Sequence, residues 1–278
     1  MARYPPMPSK KYSSMFTKAD IARIRGLHKA SERRRQGLFI CEGLKLVRDM
    51  LGHFFCDTLI LSKTLHNELK PLLDRLTPTY FPLHVKEVPD SFAFDRISSL
   101  HTPQPILALF AIPESKPEHL HAQPGLMVML DNVQDPGNVG TIIRTANWFG
   151  VEHLILTPGC ADPFSTKVVQ ASMGALAKVT ITKLENATDF LQRYKGSVYG
   201  TFLDGTNIYS EPYLPIPSSA LLIMGNEGSG IGQELKPYIT HKLFIPPHQD
   251  NPATESLNVG VATAICLSEF RRSSYALD

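Results

Sequence analysis

GLMVMLDNVQDPGNVGTIIRTANWFGVEHLILT, residues 125–157, is the stretch on which the fold turns. GLMVMLD is a short apolar run that predicts a buried strand, GNVGTIIRTANWFG a helix beginning near Asn138, and VEHLILT a second strand. Strand, crossover helix and strand in that order make the βαβ unit of a parallel sheet covered by helices. The alternation continues toward the C-terminus. VTIT, SVYGTFL, ALLIMG and KLFIP predict further strands, and a last helix is expected from about Ser256 to Arg272 with a face of apolar and small residues. The fold class is α/β, with a parallel-sheet domain over residues 125–278.

Upstream, ESKPEHLHAQPG combines turn-prone and charged residues and predicts a linker, placed at residues 113–124. Residues 17–112 predict a smaller α/β domain. KADIARIRGLHKASERRRQ reads as one amphipathic basic helix with Ile21, Ile24 and Leu27 at helical spacing. GLFICEG, CDTLILSK and PILALFAIP read as strands, GLKLVRDML and TLHNELKPLLDRL as helices, and the proline-containing region before PILALFAIP as irregular. Residues 1–16 read as a basic, flexible N-terminus.

The chain of 278 residues is long enough for two buried cores, and 43% hydrophobic with 19% charged residues is the composition of a globular protein. No apolar run reaches the ~18 residues of a membrane span, and the start lacks the apolar centre of a secretory signal. A cytoplasmic protein with no membrane partner is expected. Cys41, Cys56, Cys160 and Cys266 form no CxxC pair, and the histidines show no ligand spacing, so reduced thiols and no metal are expected.

The net charge of +2 is unevenly placed: residues 1–36 carry +8 and the remainder −6. Arg23, Arg25, Lys29, Arg33, Arg34 and Arg35 are the candidates for docking a polyanion. A solvated helix face is the plainer account of the same charges.

Three segments carry the chemistry. In LDNVQDPGNVGTIIRTANWFG, a strand ending at Asp131 leads through a Pro-Gly turn into a helix whose free amides face the mouth of the sheet. Asn138 and Arg144 lie on that helix; taken alone, Arg144 reads first as an ordinary ion-pairing residue. IMGNEGSGI sets glycines around Asn226, Glu227 and Ser229 after a strand, either a cofactor cradle or a plain tight turn. It has no Walker ending and no dinucleotide spacing, which disfavours an NTPase or a nucleotide-dependent oxidoreductase. FIPPHQDNPATESLNVGVATAICLSEF places Ser256 where its hydroxyl would cap a helix, and Asn258 in an otherwise apolar first turn.

In this order and spacing the three segments resemble the motifs of the SpoU branch of the SPOUT RNA methyltransferases. The resemblance covers residues 125–278, while KADIARIRGLHKASERRRQGLFICEG is similar to the ribosomal-protein-like RNA-binding domain of ribosomal RNA members. It implies a deep trefoil knot in the C-terminal domain, S-adenosyl-L-methionine as cofactor, a homodimer whose partner completes the site, and methyl transfer to a ribose 2′-hydroxyl. Structured RNA is the implied substrate, with 23S ribosomal RNA favoured over transfer RNA by the N-terminal domain. By position, the resemblance makes Arg144 the catalytic arginine, with Asn138, Glu227, Ser256 and Asn258 as the other motif polar residues. It sets Thr201, Leu203, Met224, Gly225, Asn226, Gly228, Ile245, Pro246 and Leu257 around the cofactor. The loop PHQDNPATE, residues 247–255, is longer than is usual in the family and has no glycine, and NVG stands where NVS is common. A catalytically silent RNA-binding protein of the same fold is the alternative from another class.

Overall fold

The computed structural model describes residues 11–12, 16–114, 117–210, 218–248 and 256–275. Most of the N-terminal segment 1–16 and of the long loop 247–255 therefore lies outside the described residues. The chain forms two compact units, one of Met1–Glu114 with Asp162–Ala177, the other of Ser115–Ala161 with Lys178–Asp278. Residues 162–177, which the sequence reading placed with the second domain, thus pack in the first unit.

The first unit contains β1 (Lys11–Tyr12), α1 (Lys18–Gly26), α2 (Ala30–Gln36), β2 (Leu38–Glu42), α3 (Leu44–Met50), β3 (Cys56–Ser62), α4 (Lys63–Leu73), β4 (His84–Val88) and β5 (Ile106–Ala111). Its sheet runs β1-β4-β3-β5-β2, with β4 parallel to its neighbours and β5 antiparallel to β2 and β3. The region read as irregular holds β4, whose HVKEV is too short and polar to declare itself before pairing with β3. Side chains alternate across the sheet. Ile40, Ile60 and Leu107 face Ile24 and Leu27 of the basic segment on one side. On the other, Phe39 meets Phe54 edge-on, their ring centroids 5.3 Å apart, and lies 5.1 Å from Phe164 of the later segment.

The basic segment is two helices, not the one expected. A capping box between Thr17 and Asp20 opens α1. The chain then breaks because the Arg33 guanidinium folds back to donate to the carbonyls of Leu27 and His28, each at 2.9 Å, satisfying acceptors at the helix end. Arg33 also donates to Asp162 Oδ2 through Nε at 2.9 Å and Nη2 at 2.6 Å. At 4% exposure it is a structural residue, and its expected role in RNA binding is corrected: each nitrogen of its guanidinium already donates inside the fold.

The second unit is built on β6 (Gly125–Leu130), β7 (His153–Leu156), β8 (Thr180–Lys183), β9 (Ser197–Asn207), β10 (Ser219–Met224) and β11 (His241–Phe244), ordered β11-β9-β10-β6-β7-β8 with every pairing parallel. This is the expected α/β architecture. Central β6 and β10 are apolar and buried, as strands covered on both faces must be. Met127, Met129, Leu221 and Ile223 face the side of α7 (Ala187–Arg193), where Phe190 and Leu191 pack. On the opposite side Tyr199 meets Phe270 of α8 (Val259–Tyr275) edge-on at 4.9 Å. Helix α8 lies against α5 (Pro136–Trp148), and Arg271 donates to the carbonyls of Phe149 and Gly150 at its end. Between β7 and β8 runs α6 (Thr166–Ala171), within the segment belonging to the first unit.

Burial keeps the thiols of Cys41 and Cys56 well above the usual range and pushes that of Cys266 up to about 12, which leaves them protonated and poor nucleophiles.

Arg33→Ala is expected to cost about 3 kcal/mol of stability by chemical denaturation, because it removes a buried guanidinium from the Asp162 carboxylate and from the Leu27 and His28 carbonyls. Arg34→Ala, next in sequence but exposed and free of side-chain bonds among the described residues, is expected to stay within about 0.5 kcal/mol.

Candidate active site

A parallel sheet sends the carboxyl ends of all its strands to one edge, and there the sequence motifs of the second unit gather. Pairing of Met224 with Leu130, and of Ile223 with Gly200, brings the loops after β6 and β10 and the residues from Thr201 on β9 to the same level. Beyond Lys242 the register of β11 jumps along β9 from Gly200 to Thr206. The intervening residues bulge outward, which carries Leu203 to 77% exposure and sets Phe202 beneath the ammonium of Lys242, 5.0 Å from the ring centroid. Ile245 and Pro246 follow β11 and are half-buried.

Three expected site residues from three distant segments join directly. Asn138 Nδ2 donates to Glu227 Oε1 at 2.6 Å, and Asn258 Nδ2 donates to Asn138 Oδ1 at 2.9 Å. Asn258 Oδ1 in turn accepts the backbone N–H groups of Gly260 at 2.9 Å and Val261 at 3.3 Å. Each amide orientation is therefore dictated by the next, starting from the free N–H groups of α8 and ending on a carboxylate. Asn138 sits in the first turn of α5, which Asp135 caps by accepting the Asn138 N–H at 2.8 Å, with Pro136 at the first helical position.

The loop bearing Glu227 is a closed structure. Asn226 and Gly230 exchange backbone hydrogen bonds of 3.0 and 2.9 Å, and Asn226 Oδ1 accepts from the N–H groups of Gly228 and Ser229. A side chain at Gly225 would collide with the backbone of Gly230 and Ile231, so glycine is demanded there by close approach.

A profile of the SpoU rRNA methylase family matches residues 125–268, and one of the MRM3-like substrate binding domain matches residues 18–108. The chain belongs to the SpoU rRNA methylase family. It is 32% identical to a Bacillus subtilis protein, 23S rRNA (guanosine(2553)-2'-O)-methyltransferase RlmP, over 88% of this chain and 93% of that one. Among solved structures it is similar to a putative RNA methyltransferase of the TrmH family from Porphyromonas gingivalis, 43% identical with a TM-score of 0.82, covering 94% of this chain and all of that one. The AdoMet-bound rRNA methyltransferase from Sinorhizobium meliloti is 30% identical with a TM-score of 0.79, the match covering 95% and 98% of the two chains.

Not every expected residue of this SpoU protein enters the cluster. Arg144 lies six residues beyond Asn138, about 9 Å along α5 and roughly 120° around it. It is exposed and makes no side-chain hydrogen bond or ion pair among the described residues. Ser256 is exposed in coil ahead of α8, which starts at Val259 and not at Ser256; the capping that the sequence suggested for Ser256 is done by Asn258. Leu257 beside it is half-exposed. In the first unit, Arg23 pairs with Asp57 at 3.2 Å, Arg25 donates to the Arg96 carbonyl at 2.7 Å, and Arg35 pairs with Glu32 at 2.7 Å. Lys29 and Arg34 are exposed and have no such partner among the described residues.

Sequence reasoning passed over Asp131, noting it only as the end of a strand. Its carboxylate is buried at 6% exposure and accepts two hydrogen bonds at the base of the site. A charged residue closing an apolar strand beside a glycine-rich loop was the available signal.

Asn258→Asp is expected to keep the α8 cap and its thermal stability while obliging Asn138 to turn its carbonyl toward Glu227. Methyl transfer should then fall about tenfold or more, read in a radiometric assay beside a melting curve. Asn258→Ala should lower both, since the cap itself is worth about 1 kcal/mol.

Proposed function

We propose that this chain transfers a methyl group from S-adenosyl-L-methionine to a ribose 2′-hydroxyl of 23S ribosomal RNA, working as a cytoplasmic homodimer whose second unit has the deep trefoil knot expected of its family. The observation that carries the reading is the hydrogen-bonded run from α8 through Asn258 and Asn138 to Glu227, which unites all three motif segments at the carboxyl edge of the sheet.

The residues present suit the cofactor. Glycine at 228 leaves backbone open to a ligand, Gly225 lets the loop close on itself, and Ile245, Pro246 and Leu257 offer the apolar walls an adenine ring needs, with Met224 and Asn226 completing the loop and Thr201 and Leu203 on β9. When bound, S-adenosyl-L-methionine supplies an electrophilic methyl on a sulfonium. The chain's own task is then to hold the sugar hydroxyl in line and to stabilise the charge it gains. Arg144, a fork of donors, holds the ribose hydroxyl or the adjacent phosphate, and the hydroxyl proton passes to that phosphate and on to water. Asn138 and Asn258 position and Glu227 fixes the loop, while Ser256 stands in the coil ahead of α8.

Arg144 stands on the exposed face of α5 that ends in Trp148, 81% exposed, while Leu257 and Val261 are half-exposed at the start of α8. An indole so exposed, with aliphatic side chains on the neighbouring helix, favours burial against a second copy. That pairing would carry Arg144 to the partner's cluster, where the described residues place no guanidinium of that protomer among Asn138, Glu227 and Asn258. Lys29 and Arg34 are the first unit's basic groups best placed to meet RNA phosphates.

Arg144→Ala is expected to lose at least about a hundredfold in methyl transfer with the melting temperature and its rise on adding S-adenosyl-L-methionine retained; near-normal transfer would refute the assignment. Trp148→Glu should convert a dimer to a monomer in analytical ultracentrifugation and lower activity with it.

A further inference from the structure

Asp131 closes β6 in the centre of the sheet, and neither of its carboxylate oxygens is spare. Oδ2 accepts the backbone N–H of Gly232 at 2.7 Å and Oδ1 accepts the Thr157 hydroxyl at 3.0 Å. Its own N–H donates to the carbonyl of Met224 at 2.9 Å. The next residue, Asn132, holds a left-handed backbone at φ 54, and its carbonyl accepts Asn226 Nδ2 at 2.8 Å. Residues 131 and 132 therefore grip the glycine-rich loop where it leaves β10 and again where it ends at Gly232. Thr157 braces the grip, since its Oγ1 also accepts the Asn132 N–H at 3.0 Å.

We infer that Asp131 is a positioning residue for cofactor binding: by holding Gly232 and Thr157 together it fixes the loop 225–232 in the shape that receives S-adenosyl-L-methionine. The inference rests on the proposal that residues 224–228 touch the cofactor. A loop with four glycines has many accessible backbone states, and ordering it only on binding would subtract from affinity. A carboxylate acceptor on a backbone N–H is stronger than a neutral one, so the restraint is placed where the loop is otherwise free.

The geometry separates the substitutions. In Asp131→Asn, the amide oxygen still accepts from Gly232 while the amide nitrogen donates to Thr157 Oγ1, whose hydroxyl proton turns to the Pro158 carbonyl, 3.3 Å away. In Asp131→Ala, Gly232 loses its acceptor altogether. Isothermal titration of the full-length protein with S-adenosyl-L-methionine is expected to give a Kd raised about tenfold or more for Asp131→Ala. For Asp131→Asn the Kd should stay within about threefold of the parent. The KM for RNA should be unchanged in both, a split that general loss of stability would not produce. A parent-like Kd in folded Asp131→Ala, or an Asn variant as weak as the Ala one, overturns the inference. If Asp131→Ala does not fold, Asp131→Asn combined with Thr157→Val replaces it: the amide nitrogen then has no acceptor and a rise of about fivefold is expected, no rise being the refuting result. Gly228→Val is run alongside, because a Cβ there meets nothing closer than Asn226 Oδ1 at 3.6 Å, which leaves room for a side chain that obstructs a ligand. Unchanged affinity in Gly228→Val sinks the cofactor reading of the loop; lost affinity there with none lost in Asp131→Ala sinks the inference alone.

Discussion

Parallel hydrogen bonding is the constraint from which the rest of the second unit follows. Six strands that all run the same way must be linked by crossovers, and their carboxyl ends must share an edge. Every loop carrying a motif residue leaves from that edge, so segments separated by as many as 120 residues, such as those of Asn138 and Asn258, meet within hydrogen-bonding distance. The buried strands supply the rigidity. The loops need only be tied at their bases.

Those ties are polar and directional. Amide side chains have a donor end and an acceptor end, so a run of them has a sense, and here the sense is set by the unpaired N–H groups at the start of α8. Reversing any one amide would set two carbonyl oxygens, or two donors, against each other. The carboxylate of Glu227 at the far end thus receives a donor whose orientation is fixed two residues away in space. Pre-orientation of this kind lets a site hold its groups ready without reorganising when substrate arrives.

How much of this was legible beforehand depended on the range of the interaction. The strand and helix alternation of residues 125–157 is local, and the apolar runs GLMVMLD and ALLIMG declared the buried strands β6 and β10 without help. Asn258 stood out because an amide among apolar residues needs a partner; its partner, Asn138, was a neighbour only in the motif pattern. Arg33 was misread because nothing near it in sequence reveals that two carbonyls at the end of α1 and a carboxylate 129 positions away would absorb its donors. β4 escaped for a similar reason. Five residues reading HVKEV become a strand through their neighbour β3, and a pairing of that kind leaves no period to detect. Asp131 looked like the end of a strand because its two acceptor roles are both with residues far along the chain.

The excursion of Asp162–Ala177 has a bearing on how the protein is made. The unit that begins at the N-terminus includes Phe164 against Phe39, Asp162 on Arg33, and Gln170 donating to the Glu42 carbonyl at 2.8 Å. On a ribosome that unit cannot reach its final packing when residue 114 emerges, but only after a further stretch of over sixty residues has been synthesised. Two of the other unit's strands, β6 and β7, are by then already outside, so the second core begins to be made before the first can be completed.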